Sequence, residues 1–359
     1  MKLKKFFAGV LAAAMMLTVG ATAAFADVGT TTPVTNDGNG TFAITKKYTV
    51  ENTNTFAPAE TFKLKQTAKS GKQMSASYDG AVPDLKTVTG EATDIVGVVR
   101  FENESNSERT ENFTIGLPKY KGVGVFTYTL EEVSATNAGI KNDGRTFTVT
   151  VYATQGDNGI ETGVTVHEGT SKGTKVTSID NKFQAGALTI HKDVKGPMGD
   201  KAYQFPFTVT LSSAKPVTAT LRVNGETSTV KFEKASEDAA EDAAEYTATV
   251  PFKLSNDGNC TISNIPYDVT YTVSEDGETS GKLTVGSGEN AVEYDVKYSE
   301  NNGTKVEGAT ATVTVTNTAG NALIDTGVIL DNAPYIALLA IVAIGGVALM
   351  LNKRRRDEE

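Results

Sequence analysis

The chain has one cysteine, no tryptophan and two histidines. With Cys260 alone, an intramolecular disulfide cannot form, so the reinforcement common in small exported domains is missing. Cys260 lies in Cys260-Thr261-Ile262, a strand-like run, and reads as a small core residue. Neither His167 nor His191 belongs to a spaced metal motif, and no nucleophile elbow, phosphate loop or Cys/His cluster is present. A conventional hydrolase or metalloenzyme is therefore not expected, and neither is a cofactor or a bound metal. The lack of tryptophan also weakens a carbohydrate-binding reading. Excess basic charge is missing too: the net charge is −9, and removing Lys2, Lys4 and Lys5 takes the exported part to near −12. That balance disfavours nucleic acid as a partner and favours solubility.

What the chain does have is alternation. Phe62-Lys63-Leu64, Thr146 to Val151, Phe207 to Leu211 and Thr312 to Thr316 alternate apolar or aromatic side chains with polar ones, between Gly, Asn, Asp and Ser punctuation. This pattern predicts an all-β protein of two tandem immunoglobulin-like β-sandwich domains. The halves repeat: residues 41–184 form a first domain, residues 187–319 a second, with Gln184-Ala185-Gly186 as a short linker. Thr114-Ile115-Gly116-Leu117-Pro118 in one half has a counterpart in Ile262-Ser263-Asn264-Ile265-Pro266 in the other. Residues 27–40 are rich in Thr, Gly and Asn and read as a flexible N-terminal arm. The acidic repeat 237–245 reads as a solvated loop or short helical insertion, without EF-hand spacing.

Within the alternation, three polar residues fall on apolar faces, and the trio occurs twice. Lys46 shares a face with Phe42 and Ile44, Glu132 with Tyr128 and Leu130, and Asn181 with Ile179 and Phe183. The second half repeats this with Leu188-Ile190-Lys192, Tyr271-Val273-Glu275 and Val313-Val315-Asn317. Buried amines and carboxylates are costly unless paired. Burial lowers a lysine pKa and raises that of a glutamate, which favours a neutral amine beside a protonated acid. Such an amine can condense with an Asn amide, releasing ammonia, while the Glu polarises the carbonyl and carries protons. The competing reading has both lysines reaching the rim and both glutamates in plain salt bridges.

The two ends carry addresses. Lys2, Lys4 and Lys5, the apolar stretch Phe6 to Val19, and Ala24-Phe25-Ala26 before Asp27 read as a cleaved signal peptide over residues 1–26. Leu323-Ile324-Asp325-Thr326-Gly327 is followed by an apolar run, residues 333–351, long enough for one transmembrane helix, and by a basic tail over 352–359. This layout resembles the cell-wall sorting signal of Gram-positive surface proteins, Leu-Pro-x-Thr-Gly, with Ile324 in place of the usual Pro. The resemblance implies sortase cleavage between Thr326 and Gly327.

From signal to tail the chain resembles a Gram-positive, sortase-assembled major pilin built from streptococcal-type isopeptide-linkage domains. The carrying motifs are Ile44-Thr45-Lys46, Tyr128 to Glu132, Ile179-Asp180-Asn181, Leu188 to Lys192, Tyr271 to Glu275 and Val315-Thr316-Asn317. The resemblance implies a Lys46–Asn181 bond assisted by Glu132 and a Lys192–Asn317 bond assisted by Glu275. Lys47, Glu131 and Lys182 have the wrong parity or place. It also implies an intersubunit lysine near the end of the first domain: Lys175 is the nearest match and Lys172 the alternative, with Lys119 and Lys121 as outside candidates. The implied partners are a sortase, identical subunits, accessory pilins, peptidoglycan and a host-surface receptor, on the cell wall or pilus surface. The alternative is a singly anchored adhesin that uses the same domains as a stalk.

Overall fold

The computed structural model describes residues 34–73, 81–235, 245–299, 302–308 and 310–320. The expected signal peptide, sorting motif, membrane span and basic tail lie outside these residues, as does nearly all of the acidic repeat. Among the described residues no helix is long and apolar enough to cross a membrane.

The described chain is almost wholly β. The first half holds β1 (Val34–Thr35), β2 (Thr41–Val50), β3 (Glu60–Gln73), β4 (Ile95–Phe101), β5 (Arg109–Gly116), β6 (Gly124–Glu132), β7 (Ile140–Lys141), β8 (Thr146–Gly156), β9 (Gly159–Glu168) and β10 (Ile179–Phe183). They form a six-stranded sheet, β1-β9-β8-β6-β3-β4, and a four-stranded sheet, β5-β2-β10-β7. The second half holds β11 (Ala185–Lys195), β12 (Phe205–Ser213), β13 (Arg222–Val223), β14 (Glu226–Thr227), β15 (Glu233–Lys234), β16 (Tyr246–Leu254), β17 (Asn259–Pro266), β18 (Thr270–Glu275), β19 (Lys282–Val285), β20 (Val292–Tyr298) and β21 (Thr310–Ala319). Here the sheets run β14-β13-β17-β11-β21-β20-β19 and β15-β16-β12-β18.

In each half the two sheets face each other across aromatic and branched side chains. Tyr48 of β2 meets Phe62 of β3 edge-on, with centroids 5.0 Å apart. Phe205 of β12 meets Tyr294 of β20 at 5.4 Å. The alternation read from sequence is the burial pattern of β2, where Phe42, Ile44, Lys46 and Tyr48 are buried and their neighbours are not. Cys260 is buried in β17, and burial pushes its thiol up to about 11.

Two local expectations are refined. The arm over 27–40 is tied down at its end, because β1 pairs with β9 and Asn36 exchanges hydrogen bonds with the Tyr120 backbone at 2.6 and 2.8 Å. The linker is shorter than Gln184-Ala185-Gly186: Ala185 and Gly186 already pair with Pro266 and Ile265, so only Gln184 separates β10 from β11.

That short connection sits in a built joint. Asn264, at φ +62, takes the Phe56 N–H at 2.8 Å and donates to the carbonyls of Phe56 and Thr220 at 3.0 Å each. Asn tolerates this left-handed conformation better than most residues. Asn137 donates to Glu60 at 3.0 Å and accepts from the Thr218 hydroxyl at 2.9 Å. The Arg222 guanidinium stacks 3.6 Å from the Phe56 ring and pairs with Glu104 at 3.0 Å. Gly139, at φ +76, leaves no room for a Cβ, which would lie 2.7 Å from the Gln184 carbonyl oxygen. Replacing Asn264 by Ala removes all three of these bonds to the half-buried Phe56 and Thr220 backbone, each worth about 0.5–1.5 kcal/mol. Denaturant unfolding of Asn264→Ala is expected to show that loss, and small-angle scattering a wider spread of inter-domain angles; an unchanged curve and profile would count against a rigid joint.

Candidate cross-linking sites

The two trios occupy equivalent places. In the parallel β2–β10 ladder, Ile179 lies opposite Lys46 and Asn181 opposite Tyr48. In the parallel β11–β21 ladder, Val315 lies opposite Lys192 and Asn317 opposite Val194. Each Asn is thus two positions beyond its Lys on the neighbouring strand, and a step of two keeps both side chains on the inner face. Each Glu reaches in from the opposite sheet as the last residue of its strand, Glu132 on β6 and Glu275 on β18. The side chains of Lys46, Glu132, Lys192 and Glu275 are all fully enclosed. Asn181 and Asn317 are buried as well.

In the first half, Lys46 Nζ lies 2.6 Å from Glu132 Oε1 and in close contact with Asn181 Oδ1. The Asn181 Nδ2 group donates to Asn142 Oδ1 at 3.3 Å. In the second half, Lys192 Nζ is 3.0 Å from Glu275 Oε1 but lacks hydrogen-bond alignment, so the amine has no hydrogen-bond partner. Asn317 Nδ2 donates to the same Glu275 oxygen at 2.9 Å, leaving Asn317 Oδ1 without a partner. The two amides are therefore turned differently: one offers its oxygen to the lysine, the other its nitrogen to the glutamate.

The electrostatics are alike. Desolvation lowers the Lys46 pKa despite the attraction of Glu132, and desolvation raises that of Glu132 despite Lys46. Lys192 is pulled down to about 8, and Glu275 is raised, again with burial as the largest cause. Burial thus drives both pairs toward the uncharged amine and acid that amide formation requires. Each amine also sits over a phenylalanine ring, Lys46 4.3 Å from the Phe62 centroid and Lys192 4.4 Å from that of Phe205. These rings wall each site against water. Sequence reading saw Phe62 only as part of a strand pattern and passed over Phe205 and Asn142, because partners across sheets leave no local signature.

The neighbours dismissed on parity point elsewhere: Lys182 pairs with Glu51 at 2.5 Å, and Glu131 lies 3.7 Å from Lys65. His191 faces outward, its Nδ1 3.0 Å from Asn259 Oδ1. Lys172 is exposed, whereas Lys175 is half-buried, pairs with His167 in an isolated bridge, and has its amine pKa lowered by burial.

Residues 42–184 match the family described as Spy0128-like isopeptide containing domain, and residues 186–319 match a family described as Domain of unknown function (DUF7601). A protein named Pilin from Streptococcus pyogenes serotype M1 is 28% identical over 254 residues, covering 69% of this chain and 73% of the relative. The crystal structure of the major pilin from Streptococcus pyogenes is 21% identical, covers 78% of this chain and 99% of that one, and has a TM-score of 0.46. The major pilin T-13 from the same species gives 20% identity, 79% and 100% coverage, and a TM-score of 0.44. Over residues 42–184 the chain is thus similar to a Spy0128-like isopeptide containing domain. Across both halves, over 69% of its length, the chain is similar to a streptococcal pilin.

The depressed Lys192 amine gives a signed test. A base whose folded pKa lies below its unfolded 10.5 binds fewer protons when folded, so stability is least below the folded value and rises with pH up to about 10.5. In Glu275→Gln the carboxylate that holds the amine up is gone, which leaves its pKa at or below about 8. The urea midpoint of Glu275→Gln is expected to climb between pH 8 and 10 relative to Glu275→Gln/Lys192→Met, which has no amine. Parallel pH profiles for the two proteins would show that Lys192 is not desolvated.

Proposed function

We propose that this chain is the shaft subunit of a sortase-polymerised, cell-wall-anchored pilus, each of whose two immunoglobulin-like domains closes its own Lys–Asn isopeptide bond. The observation that carries the reading is the repeated geometry: an enclosed Lys, Glu and Asn with the same strand offset and the same sheet-to-sheet approach in both halves. Homology to streptococcal pilin supports the shaft role.

In each domain the neutral lysine Nζ attacks the asparagine Cγ. The Nζ–Cγ bond forms, the Cγ–Nδ2 bond breaks, and the proton lost by the amine reaches Nδ2 through the glutamate, so that ammonia departs. The carboxyl group is regenerated, while Lys46 and Asn181, or Lys192 and Asn317, are consumed. Held side by side in a folded core, the groups react as in a unimolecular step. The first bond spans 135 positions. By the chain-entropy model for cross-links, a loop of that length is stabilised by roughly 4–5 kcal/mol.

Assembly uses separate chemistry. After export directed by residues 1–26 and arrest by the apolar run 333–351, sortase cuts the Leu323-Ile324-Asp325-Thr326-Gly327 motif after Thr326. A lysine of the next subunit, or peptidoglycan at the base, then accepts the acyl group. Lys175 is favoured over Lys172 because, shortly before Asn181, it is the nearest match to the position of the linkage lysine in the pilins the chain resembles.

Intact mass of the exported region is expected to fall by about 17 Da twice, once for each ammonia lost. Glu132→Ala abolishes only the first loss and Glu275→Ala only the second; an unreduced mass in the wild type leaves two plain salt bridges. Cell-wall extracts on denaturing gels are expected to show a high-mass ladder that collapses in Lys172→Ala/Lys175→Ala. A single discrete band in wild type would instead indicate a singly anchored protein.

A further inference from the structure

The two sites differ at the nitrogen that leaves. Both asparagine amides lie against the glutamate of their own trio, but Asn181 Nδ2 also donates to a residue outside it, Asn142, for which the second site has no counterpart among the described contacts of Asn317. Asn142 sits in the short segment between β7 and β8, and that segment grips the strand carrying Asn181 at successive points. Asp143 Oδ2 accepts the Asp180 N–H at 3.0 Å, and Arg145 donates to the Ser178 carbonyl at 2.9 Å. Arg145 is in turn locked on Asp143 at 2.5 Å. The Asn142 oxygen is itself oriented by the Ala135 N–H at 2.9 Å. It is a fixed acceptor aimed at one atom of the reacting amide.

We propose that Asn142 is the leaving-group acceptor of the first cross-link, a role that rests on the isopeptide reading above. Before the reaction, its oxygen takes an N–H of Asn181 Nδ2 and so turns the Asn181 oxygen toward Lys46 and Glu132. As the amine adds to Cγ and Nδ2 gains its proton, the donor becomes a positively charged ammonium, and hydrogen bonds from charged donors are roughly twice as strong as neutral ones. The contact therefore strengthens along the reaction, which is what accelerates a step rather than merely holding a ground state. No atom of Asn142 is consumed: the ammonia carries away the proton delivered through Glu132. In the second half Glu275 both binds the amide nitrogen and must hand over the proton, so the amide has to turn before its oxygen can face the acid. The first bond is accordingly the faster of the two.

The test follows both ammonia losses by time-resolved intact and peptide mass during cell-free synthesis of the full exported region. Asn142→Ala is expected to slow the first loss at least tenfold and leave the second unchanged. Asn142→Asp, which keeps an oxygen toward both Ala135 and Asn181, is expected to restore most of the rate. A wild-type rate in Asn142→Ala overturns the proposal, and so does a slow first loss in a folded Asn142→Asp protein, whether or not the alanine variant folds. Thermal unfolding in a Glu132→Ala background, where no first bond can form, separates rate from folding: Asn142→Ala is expected to lose the stability of the Ala135 contact, while Asn142→Asp, which keeps that contact, melts with its parent. A wild-type protein that shows no first loss at all would defeat the isopeptide reading itself, which is a different result from a first loss indifferent to Asn142.

Discussion

Desolvation of one amine in each half is the constraint on which the rest of the structure depends. Lys46 and Lys192 are wholly enclosed, each between an aromatic ring and a carboxyl group. A charged pair in such a place gains less from attraction than it loses from leaving water unless every remaining polar atom is satisfied. They are not all satisfied: Glu132 Oε2, Glu275 Oε2, Lys192 Nζ and Asn317 Oδ1 have no hydrogen-bond partner. Two unsatisfied ionic clusters make poor stabilising devices but a good reactant state. Conversion to an amide consumes the amine whose charged form burial penalises, so the same desolvation that makes the site costly favours its consumption.

The strand geometry turns that local chemistry into a mechanical one. β2 and β10 run parallel as the early and final strands of the first half, and β11 and β21 do so in the second. Tension applied to the two ends of a half therefore shears adjacent strands. An amide between Lys46 and Asn181 would carry the load from β2 to β10 directly, leaving the intervening chain unstressed. Since only Gln184 separates β10 from β11, force passes almost at once into the next clamp. The joint around Asn264, Asn137 and Arg222 then decides whether the halves move as one rod. Side-chain hydrogen bonds and one stacked guanidinium resist rotation there by their direction, within a buried apolar cluster that is continuous through both halves.

How much of this was legible in the sequence depends on whether a feature is local. Strand identity and facing follow from a period of two, so Phe42, Ile44 and Lys46 could be placed on one inner face with no knowledge of what lay opposite. The repeat did the rest, because a single buried lysine is ambiguous while two matched trios are not. Asn264 was visible only as a member of a repeated approach motif, where Gly116 is its counterpart. Nothing local showed that it would bind the Phe56 backbone, which is 208 positions away in the chain.

The sequence by itself determined the strand class, the inward parity of Lys46, Glu132, Asn181 and their partners in the second half, and the absence of a disulfide alternative, because all of these depend on residue type and spacing alone. Only the tertiary structure decided the two-position offset between each Lys and Asn, the opposite turn of the two amides, the enclosing Phe62 and Phe205 rings, and the contact of Asn142 with the nitrogen of Asn181. Those depend on ladder register and on which sheets face each other. Both are set by the packing of side chains far apart in the chain, and no short window of sequence records them.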